Sequence, residues 1–395
     1  MNIDSTQRRL DLDWARIIAF SLLIWYHVGM YYVTWDWHIK SPNASPAIEP
    51  LMFATNPWRL ALLFLVSGAA TGFLLAKSSL AEFVKTRSSR LLLPLLFGAL
   101  VIVPPQSYYE VVEKIQYAGS YLQFWARYLS FDQSFCKGKD CLILPTYNHL
   151  WFVAYLWVYT MMLALVCWLA PNWLEKARET GGRALSGWRL IVVPWLFLAL
   201  ARIVLLPIFP QTHALVDDWY NHAMYLGIFA VGFLLVRNAK FWEDILRFRW
   251  LTLALAILTY AAGIQIYLAA YAGNAVPSDA LRTMMRTVYA LNQWTAILAA
   301  LGWAKRWSPS DGPVRRYLTE AIFPLYILHQ TVIILLAVSL RKFALPAPME
   351  GALLTVATVA ICFTLYEGLR RVGPLRPFFG LKRKQSASGQ ATVPL

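Results

Sequence analysis

Two side chains in the first long apolar segment have the types and spacing needed for proton transfer. Arg16 and His27 lie in the stretch DLDWARIIAFSLLIWYHVGMYY, residues 11–32. Over this separation an α-helix turns through about 1100°, so both side chains lie on one face, about 16 Å apart along the axis. That face would carry a permanent cation at one end and, near the middle, an imidazole able to take up a proton. Asp13, which precedes Arg16 by one helical turn, could pair with its guanidinium.

A histidine within an apolar segment has two interpretations. It can act in a polar cavity as a general base or a nucleophile, since ionisable groups are costly in lipid and mark functional sites there. Alternatively, His27 only hydrogen-bonds a neighbouring helix, and Arg16 only obeys the positive-inside rule. His329, in FPLYILHQTVI and one turn after Tyr326, could likewise line a cavity or serve as a structural partner. Two histidines near the middle of the bilayer favour the cavity.

The composition indicates which elements position these residues. Of 395 residues, 58% are hydrophobic and 14% are charged, whereas soluble domains carry about 25% charged residues. Mostly apolar runs recur along the chain, and each is long enough to cross about 30 Å of hydrocarbon. The sequence therefore predicts an all-α, polytopic transmembrane helical bundle.

We predict ten spans, with both termini in the cytoplasm. Most of the 36 Lys and Arg residues fall in the two terminal segments and in every second loop, as the positive-inside rule requires for that orientation. Because the net charge of +15 is spread over these short loops, it indicates topology and not nucleic-acid binding. The predicted spans are residues 14–35, 58–76, 91–108, 148–170, 189–208, 220–238, 250–271, 284–304, 319–341 and 350–370.

The predicted membrane domain covers residues 1–375, and residues 376–395 form a basic, disordered cytoplasmic tail. The largest outer loop, residues 109–147, is aromatic-rich and predicts a helix lying in the membrane interface. It contains CKGKDC, in which Cys136 and Cys141 could form a structural disulfide on an oxidising face or remain free thiols.

A second candidate set lies in FVKTRSSRLLLP, residues 83–94. Arg87 and Arg90 are three residues apart and share a helix face, and guanidinium groups match phosphate oxygens well. With Arg16 they would form an anion-binding mouth at the cytoplasmic surface. The alternative is that they only set the topology.

The outer side offers further candidates. In YNHLWFVAYLWVY, residues 147–159, His149 and Trp151 stand among aromatics that could stack on sugar rings or form only an interfacial belt. Arg202 would lie in the outer half of its span, where it could pair with a carboxylate of the substrate. Glu320 lies at an inner helix end. In SGAATG, Gly68 and Gly72 predict a close helix-packing surface.

These motifs together resemble the acyltransferase-3 family of integral membrane acyltransferases, over roughly residues 8–375. The resemblance rests on Arg16 and His27 in LDWARIIAFSLLIWYHVG, and on TRSSRLLLP, HLWFVAYLWVY and FPLYILHQTVI. The last two motifs resemble the branch of the family that succinylates periplasmic glucans.

The resemblance implies transfer of an acyl group, with succinyl favoured and acetyl as the alternative, from cytoplasmic acyl-CoA to a glucan or other glycan outside the bacterial inner membrane. Acyl-CoA would be a substrate, with no tightly bound cofactor and no metal. Candidate protein partners are glucan synthesis proteins or a second copy of the chain. The expected roles are catalysis by His27 and Arg16, acyl-CoA binding by Arg87, Arg90 and Arg16, substrate binding by Trp151, Tyr326, His329, Arg202 and His149, and structural support by Asp13, Glu320, Cys136 and Cys141.

Two other functions compete with this one. A proton-coupled secondary transporter would also suit histidines at the midplane, but it predicts internal repeats and broken helices, and the sequence shows no repeat. A structural or flippase-like partner of a glycan synthase predicts that His27→Ala would preserve function.

Overall fold

The computed structural model describes residues 9–270, 276–307 and 311–383. Within these ranges the chain is mostly helical, and its strands are confined to one short hairpin in which β1 (Cys136–Lys137) pairs antiparallel with β2 (Asp140–Cys141). In chain order the helices are α1 (Leu10–Tyr32), α2 (Glu49–Phe53), α3 (Arg59–Leu75), α4 (Leu80–Phe97), α5 (Pro104–Ile115), α6 (Tyr121–Leu129), α7 (Trp151–Leu169), α8 (Pro171–Ala184), α9 (Arg189–Val204), α10 (Trp219–Leu235), α11 (Ala239–Arg247), α12 (Arg249–Ala270), α13 (Asp279–Trp307), α14 (Pro313–Leu340) and α15 (Ala347–Leu369).

Several helices begin and end where local chemistry requires it. The Ser79 side chain accepts a hydrogen bond from the backbone N–H of Glu82 and caps α4. A capping box between Ser120 and Gln123 starts α6. Between α8 and α9 the chain bends by 110°, and Gly187 supplies a φ of +61° in that turn.

Each of the ten predicted spans overlaps a helix. By length and hydropathy, four stretches of the described chain qualify as membrane-crossing helices: Asn148–Leu169, Arg249–Ala270, Pro313–Phe343 and Ala347–Leu369. Three bent helix pairs would raise the number to seven if each pair forms one span. The fold is thus a helical bundle with apolar helices of membrane-crossing length, and the number of ten spans and the placement of the termini stay predictions.

Helix α1 lies at the centre of the bundle, where it packs against α3, α13, α14 and α15. Helix α14 is its main partner, and most of the apolar part of α14 is buried inside the protein. These two helices carry His27 and His329. Both histidines therefore lie on helices that their neighbours hold firmly in place, as a precise site requires.

Helices α3 and α10 cross at two glycines. A Cβ atom on Gly68 would lie 2.0 Å from the carbonyl oxygen of Phe229, and a Cβ atom on Gly232 would lie 2.0 Å from that of Leu65. Such distances are far below van der Waals contact, so any side chain here would force the helices apart. The predicted packing role of Gly68 is confirmed.

The loop of residues 109–147 folds around its own small apolar cluster, formed by Val111, Phe124, Tyr128, Phe135 and Leu144. It contains α6 and the hairpin, which the Cys136–Cys141 disulfide closes. Hydrogen bonds from Ser134 and Arg127 lower the pKa of Asp132 to about 2.

The predicted tail starts at residue 376, within a 3-10 helix (Gly373–Phe379). Phe379 and Leu381 are buried against the bundle. The rest of the predicted tail, residues 384–395, lies outside the described residues.

Candidate active site

The centre of the site is a pair of histidines from α1 and α14. His27 Nδ1 lies 2.8 Å from His329 Nε2, and His329 Nδ1 lies 2.7 Å from the backbone carbonyl oxygen of Tyr326. A carbonyl oxygen only accepts hydrogen bonds, so His329 Nδ1 carries the proton and its Nε2 is an acceptor. His27 Nδ1 must then be the donor, which leaves the lone pair of a neutral His27 on Nε2.

The two histidines differ in accessibility. His329 is 1% exposed, whereas His27 is half-buried. No hydrogen bond to His27 Nε2 occurs in the described part of the chain. The pair therefore presents one basic nitrogen to an incoming molecule, and the second ring fixes its tautomer from behind.

A third histidine supports the pair. His149 Nε2 donates to the carbonyl oxygen of Ile327 over 3.1 Å, and the Tyr326 hydroxyl donates to the carbonyl oxygen of His149. The rings of His149 and His329 meet edge to face, with centroids 5.2 Å apart. His149 thus holds the first turn of α7 against α14.

Next to His329, polar side chains form a hydrogen-bonded cluster in which most members are amides. Gln106 Nε2 donates to Thr331 Oγ1 over 2.7 Å, and Gln106 Oε1 accepts from Gln330 at 2.9 Å and from Asn148 at 3.1 Å. Gln330 Nε2 also lies 2.8 Å from His38 Nε2. We call these five residues the amide cluster.

The amide cluster continues into charged groups. Because His38 Nε2 accepts from Gln330, its Nδ1 donates to the carboxylate of Glu110. Glu110 in turn pairs with Lys114 at 3.0 Å, and Lys114 with Asp36 at 2.9 Å. A continuous series of polar groups thus runs from beside the histidine pair to the protein surface.

The opposite end of α1 carries cations. Arg87 donates to Thr71 Oγ1 over 3.2 Å, and it lies close enough to Arg16 and Arg90 for their like charges to repel it. In the described residues no carboxylate pairs with Arg87 or Arg90. The structure therefore gathers the three predicted acyl-CoA-binding arginines at one end of the bundle; we call them the arginine triad.

Two acidic residues near the arginine triad have other principal partners. Asp13 lies 3.8 Å from Arg16 but makes its shorter ion pair with Arg315, which is 2% exposed. Glu320 pairs with Arg376 at 3.2 Å. Asp13 thus links α1 to α14, and Glu320 links α14 to the following 3-10 segment.

A small apolar cavity lies between the arginine triad and the histidine pair. Its volume is about 10 Å³, and it touches His329. Its wall is otherwise formed by Phe20, Leu23, Ile24, Ile322, Leu325 and Tyr326. A cavity of this size holds at most one water, so a larger group would enter only if α1 and α14 side chains moved apart.

The aromatic residues Trp151, Tyr155 and Tyr159 in the first turns of α7 face the interior, whereas Trp168 near its end is exposed. Trp151 is 8% exposed and packs on His213, Tyr155 and Tyr225. The first turns of this motif pack on α3 and α10, through ring contacts of Trp151 with Phe64 and Tyr225. Trp151 is not positioned as an open platform for a sugar ring.

Arg202 lies away from the histidine pair. Its guanidinium donates to the Tyr220 hydroxyl over 2.6 Å and lies 3.5 Å from the centroid of Tyr289. It lines a separate cavity beside α12 and α13. The buried arginine nearest His27 is instead Arg59, which is 3% exposed and lies 3.3 Å above the ring of Tyr26.

Sequence reasoning missed several of these residues. Gln106, His38, Glu110 and Arg59 were not selected, although Gln106 in the run VIVPPQSYYE is a polar residue at the end of a predicted span. The position of a polar residue at the end of a span was the signal by which the sequence could have identified Gln106. The partners of Gln106 on α14 are more than two hundred residues away in sequence, so its role could not be predicted from spacing.

The fold and site define a helical membrane protein with a histidine pair between a cationic end and an amide-rich end. The chain belongs to the acyltransferase-3 family, described as "Acyltransferase domain", which matches residues 9–367. The resemblance seen in the motifs is confirmed.

The relatives that carry a specific protein name share low sequence identity with this chain. The chain is 23% identical over 252 residues to the "Glucans biosynthesis protein C" of Salmonella paratyphi B, Salmonella agona and Salmonella enteritidis. The match covers 62% of this chain and 61% of each relative, so the chain matches about three fifths of their length. No solved structure matched this chain.

Proposed function

We propose that this acyltransferase moves a succinyl group from cytoplasmic acyl-CoA to hydroxyl groups of an extracytoplasmic glucan or related glycan. The observation that carries the proposal is the bond from His27 Nδ1 to His329 Nε2, with His329 Nδ1 fixed on the Tyr326 carbonyl. It leaves His27 Nε2 as an oriented base on the half-buried ring of the pair.

In the reaction, His27 Nε2 takes the proton of a sugar hydroxyl as the oxygen attacks the thioester carbonyl carbon. The resulting imidazolium keeps its Nδ1–H bond to His329 Nε2, which stabilises the positive charge. The tetrahedral intermediate then collapses, the carbon–sulfur bond breaks, and His27 returns the proton to the CoA sulfur. The products are an ester on the glycan and free CoA.

The arginine triad would bind the phosphates of acyl-CoA. Its guanidinium groups suit phosphate oxygens, and Arg87 and Arg90 lack carboxylate partners in the described chain. The distance from Arg16 to His27 along α1 is about 16 Å, which is on the scale of a pantetheine arm. The arm would pass between α1 and α14 by widening the small apolar cavity.

The amide cluster would receive the acceptor. Neutral amides and a histidine offer donors and acceptors without fixed charge, which suits the hydroxyl groups of a sugar. The names of the Salmonella relatives favour a glucan. In this arrangement the Arg16 end of the bundle faces the cytoplasm and the amide cluster faces the periplasm of a bacterial inner membrane, with ten spans.

A covalent variant of the mechanism uses the same nitrogen. His27 Nε2 would attack the thioester itself and form an acyl-imidazole, which the sugar hydroxyl then cleaves. Rapid denaturation at neutral pH with labelled acyl-CoA and no acceptor separates the two routes, because only the covalent route places label on His27.

The test is mass spectrometry of envelope glycans from cells that carry the wild type, His27→Ala or no gene. We expect His27→Ala to reduce acylation by about 10²–10⁴-fold, the range for loss of a general base, at unchanged protein level. His222→Ala is the matched control, because His222 bonds Tyr159 and Leu215 outside the site and should retain acylation. Near-normal acylation by His27→Ala would refute the mechanism.

A further inference from the structure

Two cavities beside α12 and α13 share a wall. One has a volume of about 360 Å³ and the other of about 550 Å³, and Tyr260 and Asn292 line both. Together they form one groove along the two helices. The two halves of this groove have opposite chemistry.

The first half is cationic. Its wall includes Arg202, Arg282 and Arg286, and no acidic residue lines it. Arg286 has no hydrogen bond or ion pair in the described part of the chain, and Arg282 lies 3.8 Å from Asp279 at the rim. Behind the wall, the carboxylate of Glu49 accepts hydrogen bonds from Tyr267 and Thr34. This half is therefore suited to an anion.

The second half is apolar. It is lined by Trp58, Trp250, Trp303 and Trp307 together with alanines and aliphatic residues. Its one amide, Asn292, already donates to the carbonyl oxygen of Ala256 over 2.8 Å. Trp250 and Trp307 are 62% and 67% exposed, and the outer face of α12 is mostly uncovered. A hydrocarbon chain could enter this half from the bilayer and pack against these tryptophans and aliphatic side chains.

We propose that the groove binds one anionic phospholipid from the bilayer. Its phosphate headgroup would contact Arg202, Arg282 and Arg286, and an acyl chain would lie along the tryptophans. Guanidinium groups pair with phosphate, and basic pockets between membrane helices bind anionic headgroups. A zwitterionic headgroup fits less well, because no carboxylate lines the cavity to pair with its ammonium. The site stands apart from the histidine pair, so it does not depend on the proposed acyl transfer.

The experiment measures lipid binding to the full chain purified in detergent. Native mass spectrometry and thermal unfolding would compare phosphatidylglycerol with phosphatidylethanolamine of the same chains. Wild-type protein should bind phosphatidylglycerol more tightly than phosphatidylethanolamine, and phosphatidylglycerol should stabilise it more against thermal unfolding. The Arg282→Ala/Arg286→Ala variant should lose affinity by about 25-fold, since each basic residue near an anionic lipid contributes roughly fivefold.

Two further variants separate a built site from general charge attraction. Lys342→Ala removes an exposed cation beyond the end of α14 and should leave the preference unchanged. Ala300→Phe fills the apolar half and should weaken phosphatidylglycerol binding while all arginines remain. The proposal would be overturned by equal binding of the two lipids to wild type, by an equal loss in Lys342→Ala, or by binding only of a glycan-bearing lipid.

Discussion

The two ends of the bundle on either side of His27 differ in their chemistry. At the Arg16 end, Arg87 and Arg90 have no carboxylate partner in the described chain, and a small apolar cavity separates the arginine triad from the histidines. At the other end, the neutral side chains of the amide cluster hydrogen-bond one another and so fix each other's orientation. One end is a cation cluster in which two of the three arginines lack a carboxylate partner in the described residues, and the other is a preorganised neutral network.

This difference matters because the proposed reaction brings together two dissimilar substrates. Phosphates of acyl-CoA are drawn by charge, which acts over a Debye length of about 8 Å at physiological salt. A neutral sugar is recognised by hydrogen bonds of fixed direction, which need rigid partners. The histidine pair lies where the two environments meet, so substitutions there should affect catalysis and substitutions at either end should affect one substrate.

The largest effect is expected at the junction itself. His329→Phe removes the acceptor for His27 Nδ1–H, so His27 can adopt the wrong tautomer and the imidazolium loses a hydrogen bond. We expect kcat to fall by about 10²-fold, with little change in the KM of acyl-CoA. Steady-state kinetics in detergent or proteoliposomes measure both quantities.

A conservative variant distinguishes positioning from packing at this position. In His329→Asn, the side-chain carbonyl can accept a hydrogen bond from His27 if it reaches the position of the lost nitrogen. Partial recovery of kcat relative to His329→Phe is expected. Equal rates for wild type and His329→Phe would show that the second ring has no part in the reaction.

The sequence was sufficient to predict the helix that carries His27 and the family, because both depend on residues close together in the chain. Helix arithmetic placed Arg16 and His27 on one face, and α1 contains both in one continuous helix. Apolar segments likewise located all ten predicted spans on helices. Local periodicity decides these features.

The contact between His27 and His329 could not be predicted by the same means, because it depends on α1 packing against α14, three hundred residues later. The amide cluster has the same origin, since Gln106 from α5 meets Gln330 and Thr331 from α14. Trp151 was considered for a sugar site on composition, but neighbouring helices bury it. Tertiary packing decides which polar residues share a site.

The next largest effect is expected at the arginine triad, where a substitution should change the KM of one substrate and not of the other. Arg87→Ala/Arg90→Ala removes two of the three cations of the arginine triad, so the KM of acyl-CoA should rise by about tenfold or more, as expected for charge-assisted bonds to phosphate. The KM of the glycan acceptor should stay within about twofold. Lys176→Ala/Arg183→Ala on α8, where both side chains are exposed, is the matched control. An unchanged KM of acyl-CoA would remove the triad from the donor site.

The smallest effect should come from the amide cluster, and it should fall on the other substrate. Gln106→Ala leaves Gln330 and Asn148 without their shared acceptor, which costs about 1–3 kcal/mol for each polar group left buried and unpaired. Because water can enter the vacated space and replace part of that bonding, the protein should still fold. The acceptor KM should then rise several-fold while the KM of acyl-CoA is retained, the reverse of the arginine variant. Gln133→Ala in the outer loop, whose amide bonds only backbone carbonyls, should change neither. If Gln106→Ala raised the KM of acyl-CoA instead, the two ends would not be divided between donor and acceptor.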